Sequence, residues 1–98
     1  MSYLVFCTFD LKNGSSQDYQ NAYSDLSDIG LEKVIVASNG NEVVIPTTSV
    51  MGEFNGASVT AARDDVRSSI KSAFQARGFD SEIFVVAGGN WCWGATTT

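Results

Sequence analysis

The chain has 98 residues, of which 44% are hydrophobic, and a formal net charge of −5. This length and composition predict a single domain over residues 1–98, with a core that needs no disulfide or metal to hold it together. The acidic balance argues against a general affinity for nucleic acid, which requires a basic surface. Histidine is absent, which excludes the commonest general acid–base and nucleophile systems.

No apolar run is as long as a membrane span, and no segment has the pattern of a secretory signal. Cys7 lies within a predicted strand and Cys92 lies between two tryptophans. Without a CxxC motif, both are expected to be reduced thiols, buried or half-buried. These features predict a soluble cytoplasmic protein that does not contact a membrane.

The first strand is predicted over Tyr3–Leu11. Its odd-numbered residues fall on one side of the pleat and its even-numbered residues on the other, and both sides are largely apolar. Such a strand belongs in the middle of a sheet that is covered on both faces. Asp10 is the exception, because it places a carboxylate at the carboxyl end of the strand.

Two amphipathic helices follow from local signals. Ser15 and Asp18 resemble a capping box at the start of the first helix, and Gly30 is expected to end that helix. Ser58 is the predicted N-cap of a second helix, Val59–Arg77, before Gly78.

The remaining segments are predicted to form strands. Asn39-Gly40-Asn41 predicts a hairpin turn, and two glycines separate the last main strand from an alternating segment that contains both tryptophans. The predicted strands are Leu31–Ser38, Glu42–Pro46 with an extended continuation over Thr47–Phe54, Ser81–Ala87, and a short extra strand at Asn90–Gly94.

This order predicts an α+β fold of the ferredoxin-like βαββαβ type. Two helices would cover one face of a four-stranded antiparallel sheet, with the first strand and Ser81–Ala87 at its centre. The segment over residues 90–98 would form a C-terminal strand or tail.

Two helices can cover only one face of such a sheet, yet the strands carry apolar residues on both faces. An uncovered apolar face exceeds what monomers normally expose, so we expect a homodimer packed sheet on sheet. Its expected interface residues are Val85, Val86, Trp91 and Trp93. The alternative is a monomer in which Pro46–Phe54 and the tryptophan tail fold over the open face.

With this order of elements and a first strand that ends in Thr-Phe-Asp-Leu, the chain resembles a group of small ferredoxin-like endoribonucleases. The group includes the VapD ribonucleases, the CRISPR adaptation nuclease subunit and the GhoS antitoxin of type V toxin–antitoxin systems. An aromatic first helix and the threonine-rich stretch Pro46–Ser49 add to the likeness.

The resemblance implies a face-to-face dimer in which Asp10 and its two-fold mate lie near each other as catalytic and metal-binding residues. A shared Mg²⁺ would then assist cleavage of single-stranded RNA. Arg63, Arg67 and Lys71 would hold phosphates, and aromatic residues (Tyr3, Phe9, Trp91 and Trp93) would stack on bases.

Other interpretations stay open. Asp10 would instead bond loop amides at the end of its strand or cap the turn at Asn13-Gly14, and the basic helix face would simply be solvated. The charge balance favours a non-catalytic module that binds or regulates a protein partner. A third possibility is small-ligand binding between the sheet and the Asn39–Phe54 hairpin.

Overall fold

A computed structural model of residues 1–98 contains five strands and two helices. In chain order they are β1 (Ser2–Leu11), α1 (Ser16–Ile29), β2 (Val34–Val36), β3 (Glu42–Val44), β4 (Ser49–Asn55), α2 (Val59–Arg77) and β5 (Ser81–Gly88). Neither helix contains an apolar stretch of the length that a membrane span requires.

The main sheet is antiparallel and has three strands in the order β4-β1-β5. β2 and β3 pair only with each other, in a separate two-stranded hairpin. A single bridge between Glu32 and Met51 joins the segment before this hairpin to β4, where a fourth strand would lie. The architecture is α+β and fits a ferredoxin-like fold in general.

The strand count and order nevertheless differ from the expectation. The predicted strand Leu31–Ser38 is reduced to one bridge and the three residues of β2, and the sheet takes β4 rather than Glu42–Pro46 as its third strand. Pro46 has no N–H to donate to a ladder, so the chain leaves the hairpin there and re-enters the sheet at Ser49.

Two further expectations were wrong. β5 is an edge strand rather than a central one, because it pairs only with β1. The segment Asn90–Gly94 forms no strand. Asn90 has a φ of 50°, which turns the chain out of β5 before it can pair with anything.

Both helices begin and end where the caps predict. The Ser15 hydroxyl accepts a hydrogen bond from the Asp18 amide, and the Asp18 carboxylate accepts one from the Ser15 amide, which completes the capping box. Gly30 ends α1 in the left-handed region, and its carbonyl lies where a side chain on Gly52 would stand. Glycine at both positions lets β4 approach the end of α1 closely.

The core lies between the helices and one face of the sheet. From β1 it takes the odd-numbered side chains, which pack on four buried residues of α2, namely Ala62, Val66, Ile70 and Phe74. Phe9 packs edge-on against both Phe74 and Tyr23. None of the 14 buried residues is polar or charged, so polar chemistry in this domain must take place at its surface.

Candidate functional site

The face of the sheet that the helices do not cover is the open face. Leu4 and Phe6 of β1 lie on it, and they pair across the sheet with Gly88 and Val86 of β5. Phe6 also pairs with Met51 of β4. Apolar side chains therefore run across all three strands of this face, as the two-sided alternation of β1 predicted.

The two halves of the open face differ in how far they are covered. On the β4 side, the β2–β3 hairpin and the C-terminal tail stand over the sheet, and Met51 is buried there. On the β5 side nothing lies over the strand, and Phe84 and Val86 are 63% and 49% exposed. The surface is therefore stepped. The hairpin and the tail form its raised half, and Phe84 and Val86 of β5 lie on its low half.

The raised half carries its own exposed apolar residues. Val36 and Val44 of the hairpin are 66% and 64% exposed, and Trp93 of the tail is 38% exposed. Of the exposed large apolar residues, only Met1 and Val59 lie outside the open face, the hairpin and the tail.

Two adjoining cavities lie within the raised half. The inner cavity has a volume of about 320 Å³ and lies between Leu4, Phe6 and Met51 of the sheet, the hairpin and the tail. The outer cleft has a volume of about 570 Å³ and lies between the hairpin tip and Trp91–Ala95. Val43 and Trp93 line both spaces.

Asp10 lies on the open face at the end of β1, exposed to solvent. Its Oδ1 accepts a hydrogen bond from the Tyr19 hydroxyl at 3.1 Å, and the same hydroxyl accepts one from the Leu11 amide at 3.2 Å. The carboxylate thus helps to tie the end of β1 to the first turns of α1. The expectation that Asp10 bonds loop amides was wrong, because its hydrogen-bond donor is the Tyr19 hydroxyl and no loop amide donates to it.

Glu82 is the site residue that the sequence reasoning missed. It pairs directly with Asp10 across the β1–β5 ladder, so both carboxylates lie on the same face. Two like charges in that position repel each other. Lys12 lies 3.6 Å from the Glu82 carboxylate and offsets part of this repulsion. Only the register of two strands far apart in sequence brings the pair together, and no local motif could have indicated it.

Asp10 and Glu82 present two neighbouring carboxylates to a metal ion. Mg²⁺ keeps most of its water and is commonly held by one or two carboxylates together with substrate phosphates. Asp10 and Glu82 fit that minimal donor set. No group of three His, Cys, Asp or Glu side chains exists that would form a fuller cage.

The three basic residues expected to hold phosphates, Arg63, Arg67 and Lys71, lie in α2, on the other side of the sheet from Asp10. α2 covers the opposite face of the sheet, and it begins just after Gly56, whose amide donates to the Met1 carbonyl at the other end of β1. Arg63 and Arg67 both contact Asp64, at 2.8 and 3.4 Å. The structure therefore does not bring Arg63, Arg67 or Lys71 together with the acidic pair.

The expected interface residues divide between the two faces. Val85 pairs with Cys7 and packs against the core, on the helix-covered face. Val86 lies on the open face. Trp91 and Trp93 lie beside the hairpin and line the outer cleft.

Two of the aromatic residues expected to stack on bases are in the core, because Tyr3 and Phe9 are only 7% and 4% exposed.

The two cysteines differ from each other in burial. Cys7 is buried, and burial raises the pKa of its thiol to about 11. Cys92 is exposed, contrary to the expectation that both thiols would be at least half-buried.

Comparison with known proteins does not connect this geometry to a family. No family model matches the chain. No curated protein matches it significantly either.

Proposed function

We propose that this chain is a dimeric interaction module without a catalytic role, and that two copies associate through the open face. The observation that carries the proposal is the exposure of Phe84 and Val86 on an otherwise well-packed sheet. Monomeric proteins rarely leave a large contiguous apolar patch in water.

The stepped shape favours a second copy as the occupant. A two-fold axis sets the raised half of one chain on the low half of the other, so that each contact is made twice. Val36 and Val44 of each hairpin would then lie against Phe84 and Val86 of the other copy. All four side chains are apolar and exposed in the single chain, and association would remove them from water.

The distribution of charge supports a protein rather than a nucleic acid as any further partner. The net charge is −5, and three of the six basic residues contact carboxylates in α1 or α2. Little basic surface is left to displace counterions from a phosphate backbone. Two free thiols suit the reducing cytoplasm as the place where such a module works.

The test is the mass of the protein in solution. Sedimentation equilibrium at tens of micromolar should give a dimer for the unmodified chain. Phe84→Glu and Val86→Glu should give folded monomers, because each places a charge in the apolar interface.

Val59→Glu is the matched control, since it adds the same charge at an exposed valine of α2 that lies on the other side of the domain. It should remain dimeric. A monomeric unmodified chain at these concentrations would refute the dimer.

A second candidate function is a metal-dependent endoribonuclease, favoured by the one observation that Glu82 faces Asp10. Asp10 and Glu82 would hold the Mg²⁺ ion, which when bound would neutralise charge on a phosphate. Tyr19 would orient Asp10 through its hydroxyl.

This candidate is tested by incubating the protein with single-stranded RNA and Mg²⁺ or Mn²⁺, beside an EDTA control. Asp10→Asn and Glu82→Gln should each abolish cleavage, whereas Glu53→Gln, an exposed carboxylate elsewhere on the open face, should not. The absence of cleavage by the unmodified protein, or cleavage that survives both substitutions, would remove this candidate.

A further inference from the structure

The space between the sheet, the hairpin and the tail has the features of a small-molecule site. Its floor is the open face of β1 and β4, at Leu4, Phe6 and Met51. The hairpin forms its roof and Trp93–Ala95 form a wall. Nine of its 11 lining residues are hydrophobic, so an occupant would meet an almost wholly apolar surface.

From this we infer that the inner cavity binds a neutral, mainly apolar small molecule about the size of two fused aromatic rings. The inference does not rest on the dimer, because the cavity belongs to the raised half of a single chain.

The size of the occupant follows from the volume. An apolar protein cavity of about 150 Å³ takes one benzene molecule. The inner cavity, at about 320 Å³, has about twice that volume. It lies at the lower end of the range of about 300–1,000 Å³ that is usual for ligand pockets.

The occupant is expected to be neutral, because the walls of both spaces lack charged side chains. No charged residue lines the inner cavity or the outer cleft, although 17% of the chain is charged. A charged ligand would lose its hydration there without gaining a partner, which costs several kcal/mol.

The outer cleft determines which end of the ligand is polar. Asn39, Asn41 and Ser38 line it at the hairpin tip, next to Trp91 and Trp93. A hydroxyl or amine on the ligand would meet these amide and hydroxyl groups, while the ring system would lie inside.

The chain carries its own reporter for this binding. It has two tryptophans, and both line the outer cleft. The probe is N-phenyl-1-naphthylamine, a neutral dye whose two fused rings match the inner cavity and whose phenylamino group would lie in the outer cleft. It fluoresces in apolar surroundings and accepts excitation energy from tryptophan. Its anionic counterpart, 8-anilinonaphthalene-1-sulfonate, has the same ring skeleton with an added sulfonate.

Titrations in about 1 M NaCl, where the Debye length is about 3 Å, remove the long-range effect of the protein's net charge. The neutral dye should saturate at one molecule per chain and quench tryptophan emission. The anionic dye should bind at least about tenfold more weakly.

Two substitutions address the site from different walls. Gly94→Phe adds a ring at a wall shared by both spaces, where an added Cβ meets nothing within 4 Å. Ile35→Asp puts a charge into the roof. Each should weaken binding of the neutral dye by at least about tenfold. Val59→Asp adds the same charge on α2 and should leave binding unchanged.

The inference is overturned if the neutral dye does not saturate, if the two dyes bind equally, or if Gly94→Phe leaves binding of the neutral dye intact. Far-ultraviolet circular dichroism of each variant identifies loss of fold. If Ile35→Asp fails to fold, the Gly94→Phe variant and the comparison of the two dyes test the binding site.

Discussion

The two faces of the main sheet are built from alternate residues of the same strands, and they differ in what covers them. On the helix-covered face, β1 contributes side chains that are all at most 7% exposed. On the open face, the neighbouring residues are half-buried or exposed, and β5 carries Phe84 and Val86 in contact with water. The same apolar residue types thus support the fold on one face and remain available for binding on the other.

Hydrophobicity alone therefore does not determine the role of a side chain in this domain. Cys7 and Phe6 are consecutive in β1, yet one is fully buried in the core cluster and the other forms the floor of a cavity. What separates them is the side of the pleat on which each lies.

The sharpest test compares two phenylalanines. Phe74 is 1% exposed and packs edge-on against Phe9 and Phe79. Phe74→Ala should therefore lower the free energy of unfolding by about 3–5 kcal/mol. Phe84→Ala should change it by no more than about 0.5 kcal/mol, because Phe84 is mostly exposed in the single chain.

Urea denaturation at sub-micromolar protein concentration, where self-association is minimal, measures both values. Similar losses for the two variants would mean that the faces do not differ in the way described.

The next test compares two consecutive residues of β5. Val85→Glu places a carboxylate against the core and should cost about 2–3 kcal/mol. Val86→Glu places it on the open face and should leave the stability of the single chain nearly unchanged. Thermal melts at low protein concentration distinguish them, and a larger loss for Val86→Glu would reverse the assignment of faces.

A smaller effect is expected from the ion pair that joins the two helices over the covered face. The Arg77 guanidinium donates to both Asp25 oxygens at 2.8 Å, and this lowers the pKa of the Asp25 carboxyl, while partial desolvation opposes the shift. Since the folded-state pKa is depressed, the contribution is present above the ordinary pKa of Asp and is lost as pH falls through the folded-state value.

Stability measured between about pH 5 and pH 2 should therefore fall less steeply for Asp25→Asn than for the unmodified chain. Arg77→Ala should flatten the profile in the same way. An unchanged slope in both variants would mean that the pair adds nothing to the helix layer.

The smallest perturbation is chemical labelling of the thiols. Cys7 is buried with its pKa raised to about 11, whereas Cys92 is exposed in the tail. Ellman's reagent at pH 8 should thus modify one thiol per native chain quickly, and Cys92→Ser should remove that reaction. The second thiol should react only after unfolding. Rapid labelling of Cys7 in the native protein would show that the covered face opens readily.

The parts of the fold that could be predicted are those that local chemistry determines. Both helices were predicted with their caps, since Ser15, Asp18 and Gly30 act within one turn of the helix ends. The alternation of β1 likewise predicted two apolar faces, because the pleat repeats every two residues.

What could not be predicted depends on contacts between distant segments. The facing of Asp10 and Glu82 is a matter of strand register, and the edge position of β5 depends on which strands pair with β1. The tail was expected to form a strand because Trp91 and Trp93 alternate, but the turn at Asn90 carries the tail towards the hairpin instead. The cavity between them arises only after all these segments are assembled.

The central position of β1 has a consequence for how the protein is made. β1 leaves the ribosome well before β5, its neighbour on one edge, since Leu4 pairs with Gly88 and Leu11 with Ser81. Until β5 has been synthesised, β1 has one edge without a permanent neighbour. Pairings this distant in sequence also slow folding, because a long loop must close first. The main sheet is therefore expected to reach its final strand order only after β5 has been synthesised.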